Sequence, residues 1–365
     1  MKDLTPFNTH NKLLSRYAQQ VQGIRTGENV YPVAMEINLS DVCGQNCKWC
    51  ISDDVKDFPC QVDVESEAFK NFINDFKFHG GQCLTWSGGG EPTTHPKFLQ
   101  ALDLVQSAGI PQALITHGAF ANKYVAAISK KCDWVRISID THDAQMYADM
   151  RGAKPKHFQQ VVRNATDLAN TGMKVGLNIN VAEWNKSHID PLYELACETG
   201  VSYLQVRPTL ITPSASPEDN AYLHPQSISG ILSRLETLQK NSTGNKTRLV
   251  VSHDKFIDLQ NNPQQRGYKG CASHQLFVVL NCNGDLMVCM YHLFDERFVL
   301  GNIYKDSLQQ VWQSLQRQQT VNFCRDTLDH TRHHCQICCK GEEINKVLFA
   351  EKFTKIDAQF DSPFI

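Results

Sequence analysis

No stretch of this chain approaches the roughly 20 consecutive apolar residues that a membrane-spanning helix requires, so no membrane partner is expected. Met1 to Gln20 is polar with scattered charge and lacks the apolar core of a secretory signal. An excess of one charge sign is missing too. With 36 Lys and Arg against 38 Asp and Glu the formal net charge is −2, which gives no reason to expect nucleic acid or an anionic surface as a partner. There is no low-complexity tract, and no repeat other than a strand–helix unit. Cysteine, by contrast, is abundant, at 14 of 365 residues. Without an export signal these are expected as reduced thiols and metal ligands rather than disulfides, in a reducing cytoplasm. The 41% apolar and 20% charged content fits a globular chain, and the length fits about two domains.

Residues 1–32 read as a polar extension with a short helix near Lys12–Gln22, ended around Gly23 and Gly27. From Val33 a short strand, a loop and an amphipathic helix recur six times. The strands are expected at 33–39, 83–87, 110–116, 133–139, 174–181 and 202–207. Phe98, Leu102 and Val105 share one helix face, as do Val161, Ala165 and Leu168. Such alternation implies right-handed parallel βα units, wound into a barrel or an open sheet.

The strand faces discriminate between these. Fully buried parallel strands read as continuous apolar runs, whereas these alternate. Val33, Met35, Ile37 and Leu39 oppose Glu36 and Asn38, and Val135, Ile137 and Ile139 oppose Arg136, Ser138 and Asp140. Leu177, Ile179 and Val181 oppose Asn178 and Asn180, and Leu204 and Val206 oppose Gln205 and Arg207. Burying that polar face without partners would cost about 1–3 kcal/mol per group. It must therefore line an interior that holds water, cofactor or polar substrate. An α/β fold built as a partial, TIM-like (β/α)6 barrel over residues 33–240 meets this requirement; an ordinary two-sided sheet is the alternative. Residues 211–225 form a Pro/Ser-rich loop that either covers the barrel mouth or merely connects. A helix-like run follows (Ile228, Ile231, Leu232, Leu235, Leu238). The polar break at Asn241–Lys246 opens a smaller second domain over 241–345, with a tail at 346–365.

Chemistry concentrates first in Cys43-Gly44-Gln45-Asn46-Cys47-Lys48-Trp49-Cys50. Three thiolates on one short loop can hold three irons of a 4Fe–4S cluster. The fourth iron is then left open, as a reactive metal site requires. A zinc loop is the competing reading. The CxxxCxxC spacing after a first strand, with an aromatic before the third cysteine, resembles the radical S-adenosylmethionine (SAM) superfamily. The resemblance implies that Cys43, Cys47 and Cys50 hold a 4Fe–4S cluster whose open iron is chelated by SAM. It also implies that Trp49 packs beside the cluster or the adenine.

The second strand runs into Ser87-Gly88-Gly89-Gly90-Glu91-Pro92. Glycines at the C-terminal end of a parallel strand let a ligand approach the backbone. The run resembles the family's GGEP motif, which implies that Gly88, Gly89, Gly90 and Glu91 bind the SAM amino group. By the same resemblance Ser138, at the end of the fourth strand, and Arg151 take the SAM carboxylate, a pairing that suits a hydroxyl and an Arg fork. Arg151 read only as a surface helix-start arginine is the alternative. His117, in Thr116-His117-Gly118, either reaches substrate or makes a structural hydrogen bond.

Cysteines gather again at 271, 282, 289, 324, 335, 338 and 339. Asn283-Gly284-Asp285 signals a hairpin turn, and Cys335-Gln336-Ile337-Cys338 closes the series. This resembles the SPASM/Twitch auxiliary-cluster domain, in its shorter Twitch form. The resemblance implies a second 4Fe–4S cluster on Cys271, Cys289, Cys335 and Cys338, with Cys282, Cys324 and Cys339 as spares. A zinc site aided by His333 and His334 competes. Cys60, Cys83, Cys132 and Cys197 are expected as apolar core residues.

The resemblance implies an enzyme that cleaves SAM reductively and abstracts hydrogen from substrate. Its reducing electrons would come from a flavodoxin or ferredoxin. Only about 32 residues precede the first strand, whereas peptide-modifying members commonly carry a leader-binding domain there. That favours a small polar substrate (a sugar, aminocyclitol or nucleotide derivative), with peptide modification as the alternative. A two-electron oxidation with Arg207 orienting the substrate is the favoured reaction. Epimerisation with Cys282, Cys324 or Cys339 as hydrogen donor is its rival.

Overall fold

In the computed structural model the apolar spacing of the sequence becomes packing. Ser66 starts the helix Glu67–Phe78 by accepting the Phe69 amide, and Phe69, Phe72, Ile73 and Phe76 bury one face. The structure describes residues 9–52, 60–209, 221–261, 266–293, 295–330, 333, 335, 339–360 and 362–364. The Pro/Ser-rich loop falls largely outside them, as do His334 and Cys338.

Described strands, in chain order, are β1 (Ala34–Asn38), β2 (Cys83–Ser87), β3 (Gln112–Thr116), β4 (Trp134–Ser138) and β5 (Lys174–Val181). Then come β6 (Tyr203–Pro208), β7 (Arg248–Val251), β8 (Phe277–Leu280), β9 (Asp285–Met287) and β10 (Val299–Asn302). The first six lie where the alternation places them, and a helix follows each. Two compact units divide the chain. One gathers residues 1–42, 54–112 and 264–365; the other gathers 43–53 and 113–263.

In the first unit β1 pairs in parallel with both β2 and β8. From β8 the chain turns through Asn281–Gly284, with Gly284 at φ 82°, into antiparallel β9 and then β10. The carboxy-terminal segment is tied to the amino-terminal helices of this unit. Buried Lys12 donates Nζ to the Phe364 carbonyl at 2.7 Å, Tyr17 donates its hydroxyl to Pro363, and the Ile356 amide donates to Leu14 at 3.0 Å. The single helix expected near Lys12–Gln22 is therefore two, Thr9–Leu14 and Ala18–Thr26. The Leu14 carbonyl, which a continuous helix would use internally, serves Ile356 instead.

In the second unit β3, β4, β5, β6 and β7 pair in parallel and in sequential order. β7 is unforeseen in the sequence pattern: four residues behind a polar break are too few to show a period. The second unit therefore runs past residue 240, where the sequence places a domain boundary. Among the described residues β7 pairs only with β6 and β10 only with β9, so the strands are not closed into a ring. No helix among them is long and apolar enough to cross a membrane.

Cys83 and Cys132 are core residues as expected, but Cys60 is half-buried and Cys197 is exposed. The helix Ile189–Glu198 buries Ile189, Leu192, Tyr193 and Ala196. Cys197 lies off that stripe.

His274 is fully buried in the first unit, and burial, with a smaller push from Arg317, lowers its pKa from 6.5 to about 3. The folded protein holds it neutral, while the unfolded chain protonates it near 6.5. Its contribution to stability is thus complete above that pH and is lost as pH falls toward 3. The denaturant midpoint is expected to drop between pH 7 and pH 4, and His274→Leu to flatten that part of the profile. An unchanged slope in the variant would show that His274 does not carry it.

Candidate cluster and cofactor sites

In the second unit the loop Cys43–Cys50 is held by the end of the helix Ala144–Arg151. Its last carbonyls, which a helix leaves without internal partners, accept from the loop: Asn46 N–H donates to Arg151 at 2.7 Å and Lys48 N–H to Met150 at 3.2 Å. Cys43, Cys47 and Cys50 are all free of disulfides. Burial pushes the Cys47 thiol up to about 12, opposed chiefly by the Arg151 guanidinium, while Cys50 and Cys43 add to the rise. The three thiols feel one another, and iron held by them would supply the positive charge that lets them ionise together. Among the described residues no group of three or more His, Cys, Asp or Glu side chains is set to hold a single metal ion. Trp49 is buried and stacks on Trp184 with ring centres 5.1 Å apart.

Arg151 is not a surface residue. It is 4% exposed, and both ends of its fork are occupied: one nitrogen meets Asp140 and another donates to Gln45 Oε1 at 2.7 Å. Only its Nε is buried without a hydrogen-bond partner. Ser138 sits half-buried at the end of β4, in register with Asn178. His117 makes a structural bond, its Nδ1 accepting from the Ala119 amide at 3.0 Å. The polar strand faces are satisfied laterally in part: Arg136 donates to Gln205 at 3.0 Å and Arg207 Nε donates to Asn180 at 2.7 Å, while Asn178 Oδ1 is buried without a hydrogen-bond partner.

In the first unit Gly88, Gly89 and Gly90 follow β2 and pass against the residues that leave β1. The Gly90 amide donates to Ser40 and the Glu91 amide to Val42, both at 2.9 Å. A side chain on Gly90 would strike the Asp41–Val42 backbone, and one on Gly89 the Asp41 carboxylate. The sequence reading has these glycines admit a ligand; here they also admit a neighbouring main chain. Glu91 is buried and caps the turn Pro92–Thr94 by accepting from the Thr93 amide at 3.2 Å, and it also accepts from Thr93 Oγ1 at 2.7 Å. Behind the loop Asp41 accepts from Asn38 Nδ2 at 2.6 Å and from the Cys282 thiol at 2.8 Å. Burial raises the Cys282 thiol, with Asp41 and Cys60 adding to it, so it belongs with this loop and not with the downstream cysteines.

Those downstream cysteines feel one another electrostatically, again within the first unit. Burial pushes Cys289 well up, with Cys339, Cys271 and Cys335 adding to it. Burial likewise takes Cys335 to about 12, with Cys271 and Cys339 adding and Arg266 opposing. Buried Cys324 feels Cys271 and Cys335, and its carbonyl accepts the Cys271 amide at 2.8 Å from within a π-helical turn, Phe323–Thr327. Gly270, at φ 73°, allows that approach, since any side chain there would meet the Arg325 carbonyl. Asn345 braces the site by accepting from the amides of Ala272 and Ser273 and donating to Cys271 Sγ at 3.2 Å. Buried Arg266 pairs with Glu342 at 3.2 Å beside Cys335 and Cys339. Cys339, read as a spare, therefore stands inside the thiol group, while Cys338 lies outside the described residues. Of the histidines of the zinc alternative, His333 engages Asp329; it is His292 whose Nε2 lies 3.6 Å from Cys335 Sγ.

Asp41, Gln45, Asp140, Arg266 and Asn345 are the site residues that the sequence reading gives no role. Three of them, Asp41, Gln45 and Asp140, lie within two residues of a named cysteine or strand end; Arg266 and Asn345 carry no such signal.

A parallel α/β fold with one cysteine loop after its first strand and a second thiol group near its carboxy terminus defines a class of iron–sulfur enzyme. Residues 37–196 match the family model of the radical SAM superfamily, and residues 271–340 match SPASM, an iron–sulfur cluster-binding domain. The mycofactocin maturase MftC of Mycobacterium ulcerans is 25% identical over 291 residues, 78% of this chain and 75% of its own. AlbA, the antilisterial bacteriocin subtilosin biosynthesis protein of Bacillus subtilis, is 21% identical over 307 residues, 79% of this chain and 62% of its own. The crystal structure of Streptococcus suis SuiB bound to SAM shares the fold with a TM-score of 0.66 at 15% identity, over 90% of this chain and 76% of that one. The chain belongs to the radical SAM superfamily and carries a SPASM-type domain. It is a radical SAM enzyme whose cofactors are a SAM-binding 4Fe–4S cluster, an auxiliary cluster and SAM.

Proposed function

We propose that this enzyme is a maturase that modifies a peptide by a two-electron oxidation. The observation that carries the reading is the similarity to MftC, a mycofactocin maturase, across 291 residues that span both domains. AlbA, a bacteriocin biosynthesis protein, and SuiB, seen in one crystal structure bound to its precursor peptide SuiA, support the same direction. This replaces the small polar substrate favoured from the sequence.

Cys43, Cys47 and Cys50 would hold the SAM-binding cluster, and Cys271, Cys289, Cys335 and Cys339 the auxiliary one. When bound, the first cluster and SAM supply a 5′-deoxyadenosyl radical that abstracts hydrogen. The residues of this chain bind and orient. Gly88–Glu91 take the SAM amino group, Ser138 takes its carboxylate, and Arg207 on the polar face of β6 orients the substrate. The auxiliary centre that those four cysteines would hold could accept the electron left after oxidation, and a flavodoxin or ferredoxin would supply the reducing electron.

Cys339→Ala is expected to lower the iron content by about one cluster while leaving SAM cleavage in place. Full iron in that variant would give the fourth position to Cys324 or Cys338. The function itself is tested by incubating the reduced enzyme with SAM and short peptides encoded beside it. A peptide two hydrogens lighter, formed with 5′-deoxyadenosine, is the expected product. A peptide of unchanged mass that gains one deuterium in heavy water would make the reaction an epimerisation. Turnover of a small polar alcohol with every peptide inert would overturn the peptide reading.

A further inference from the structure

Asp140 is fully buried and is the one described non-glycine residue with positive φ, at 63°. An aspartate tolerates this conformation better than most residues, but in a buried position it persists only where the surroundings fix it. Here they fix every polar atom beyond its amide. Oδ1 accepts from the Asn180 amide at 2.7 Å, the carbonyl accepts from Asn185 Nδ2 at 2.9 Å, and Oδ2 meets Arg151. Arg151 in turn donates to Gln45, which sits between Cys43 and Cys47 and donates to the Tyr147 hydroxyl at 2.6 Å. The Arg151 carbonyl takes the Asn46 amide, and its guanidinium lies 5.8 Å from the centre of Trp49. A single arginine thus grips the cysteine loop by side chain and main chain, and a single carboxylate grips that arginine.

We propose that Asp140 and Arg151 are positioning residues for the cluster loop, Arg151 fixing the cysteine spacing through Gln45 and placing a permanent positive charge beside the thiolates. Arg151 holds the loop, and Asp140 holds Arg151. The opposite charges then act in opposite senses on any group bound by the loop: the guanidinium favours the extra negative charge of a reduced centre, and the carboxylate disfavours it. This differs from a SAM-carboxylate role for Arg151, whose fork is already occupied. It rests on Cys43, Cys47 and Cys50 holding the first cluster.

The test uses the full chain, purified anaerobically, with Asp140→Asn, Arg151→Gln and Arg151→Lys. Two readouts are needed, the rate of iron loss to a chelator and the midpoint potential from an EPR-monitored titration. The signal of the Cys43/Cys47/Cys50→Ala chain is subtracted to remove the auxiliary centre. Iron loss is expected to quicken by about 10–100-fold in all three variants, as for other partners of metal ligands. The potential should fall in Arg151→Gln, rise in Asp140→Asn and stay close to the original in Arg151→Lys, which keeps the charge but not the fork. A merely structural role would not reverse sign between the first two. If Arg151→Gln does not fold, the other pair decides. A slow iron loss with an unmoved potential in Asp140→Asn overturns the proposal. Neither readout needs a substrate, so the outcome is independent of the peptide reading. Equal iron in the unaltered and triple-alanine chains would instead mean that the cluster assignment has failed.

Discussion

Replacing Cys43, Cys47 and Cys50 together by alanine is expected to remove about half of the iron and to abolish SAM cleavage. The size of the effect follows from the ligand count. The loop supplies all three protein thiolates of its cluster, and no other cysteine of the second unit can replace them: Cys132 is a core residue and Cys197 faces solvent. The auxiliary thiols all belong to the first unit and keep their own bracing by Asn345 and Arg266. Iron analysis with 5′-deoxyadenosine detection checks both halves of the expectation. A triple variant that still cleaved SAM would remove the loop from the chemistry.

Gly90→Ala should be one of the damaging single methyl additions among the described glycines. Its Cβ would meet the carbonyl carbon and oxygen of Asp41 and the carbonyl of Val42, all main chain and unable to rotate away. The loop would have to move off, breaking the Gly90–Ser40 and Glu91–Val42 bonds. SAM affinity is expected to fall by one to two decades, roughly the 1.5–3 kcal/mol of a lost charge-assisted contact. Gly230→Ala, in the helix Pro225–Asn241, meets nothing within 4 Å; it is the control and should leave binding unchanged. Equilibrium dialysis with labelled SAM reads both, and equal affinities would separate the glycine loop from the cofactor.

Much of this was legible before the structure. The period-2 alternation of Arg136, Ser138 and Asp140 against Val135, Ile137 and Ile139 located β4 because a strand puts successive side chains on opposite faces. The x3 and x2 cysteine spacing located the loop because cluster ligands must share a short segment. What stayed hidden depended on contacts distant in sequence. Nothing near Arg151 shows that Gln45 lies 106 positions away at its fork, so a carboxylate-binding role suggested itself first. Nothing in Cys335-Gln336-Ile337-Cys338 shows that Cys339, which precedes the helix Lys340–Leu348, helps to raise the Cys289 thiol. β7 was hidden for a different reason, being too short to carry a period. The small-substrate expectation was argued from the residues that precede the first strand rather than from any residue of the site, and the similarity to MftC and AlbA favours its peptide alternative.

The most direct test of the central claim is anaerobic incubation of the purified chain with SAM and a strong low-potential reductant, followed by quantification of 5′-deoxyadenosine. The account predicts 5′-deoxyadenosine and methionine in equal amounts, formed only with reductant and only when the Cys43–Cys50 loop is intact. Iron-loaded, SAM-binding protein that released neither product under these conditions would contradict it.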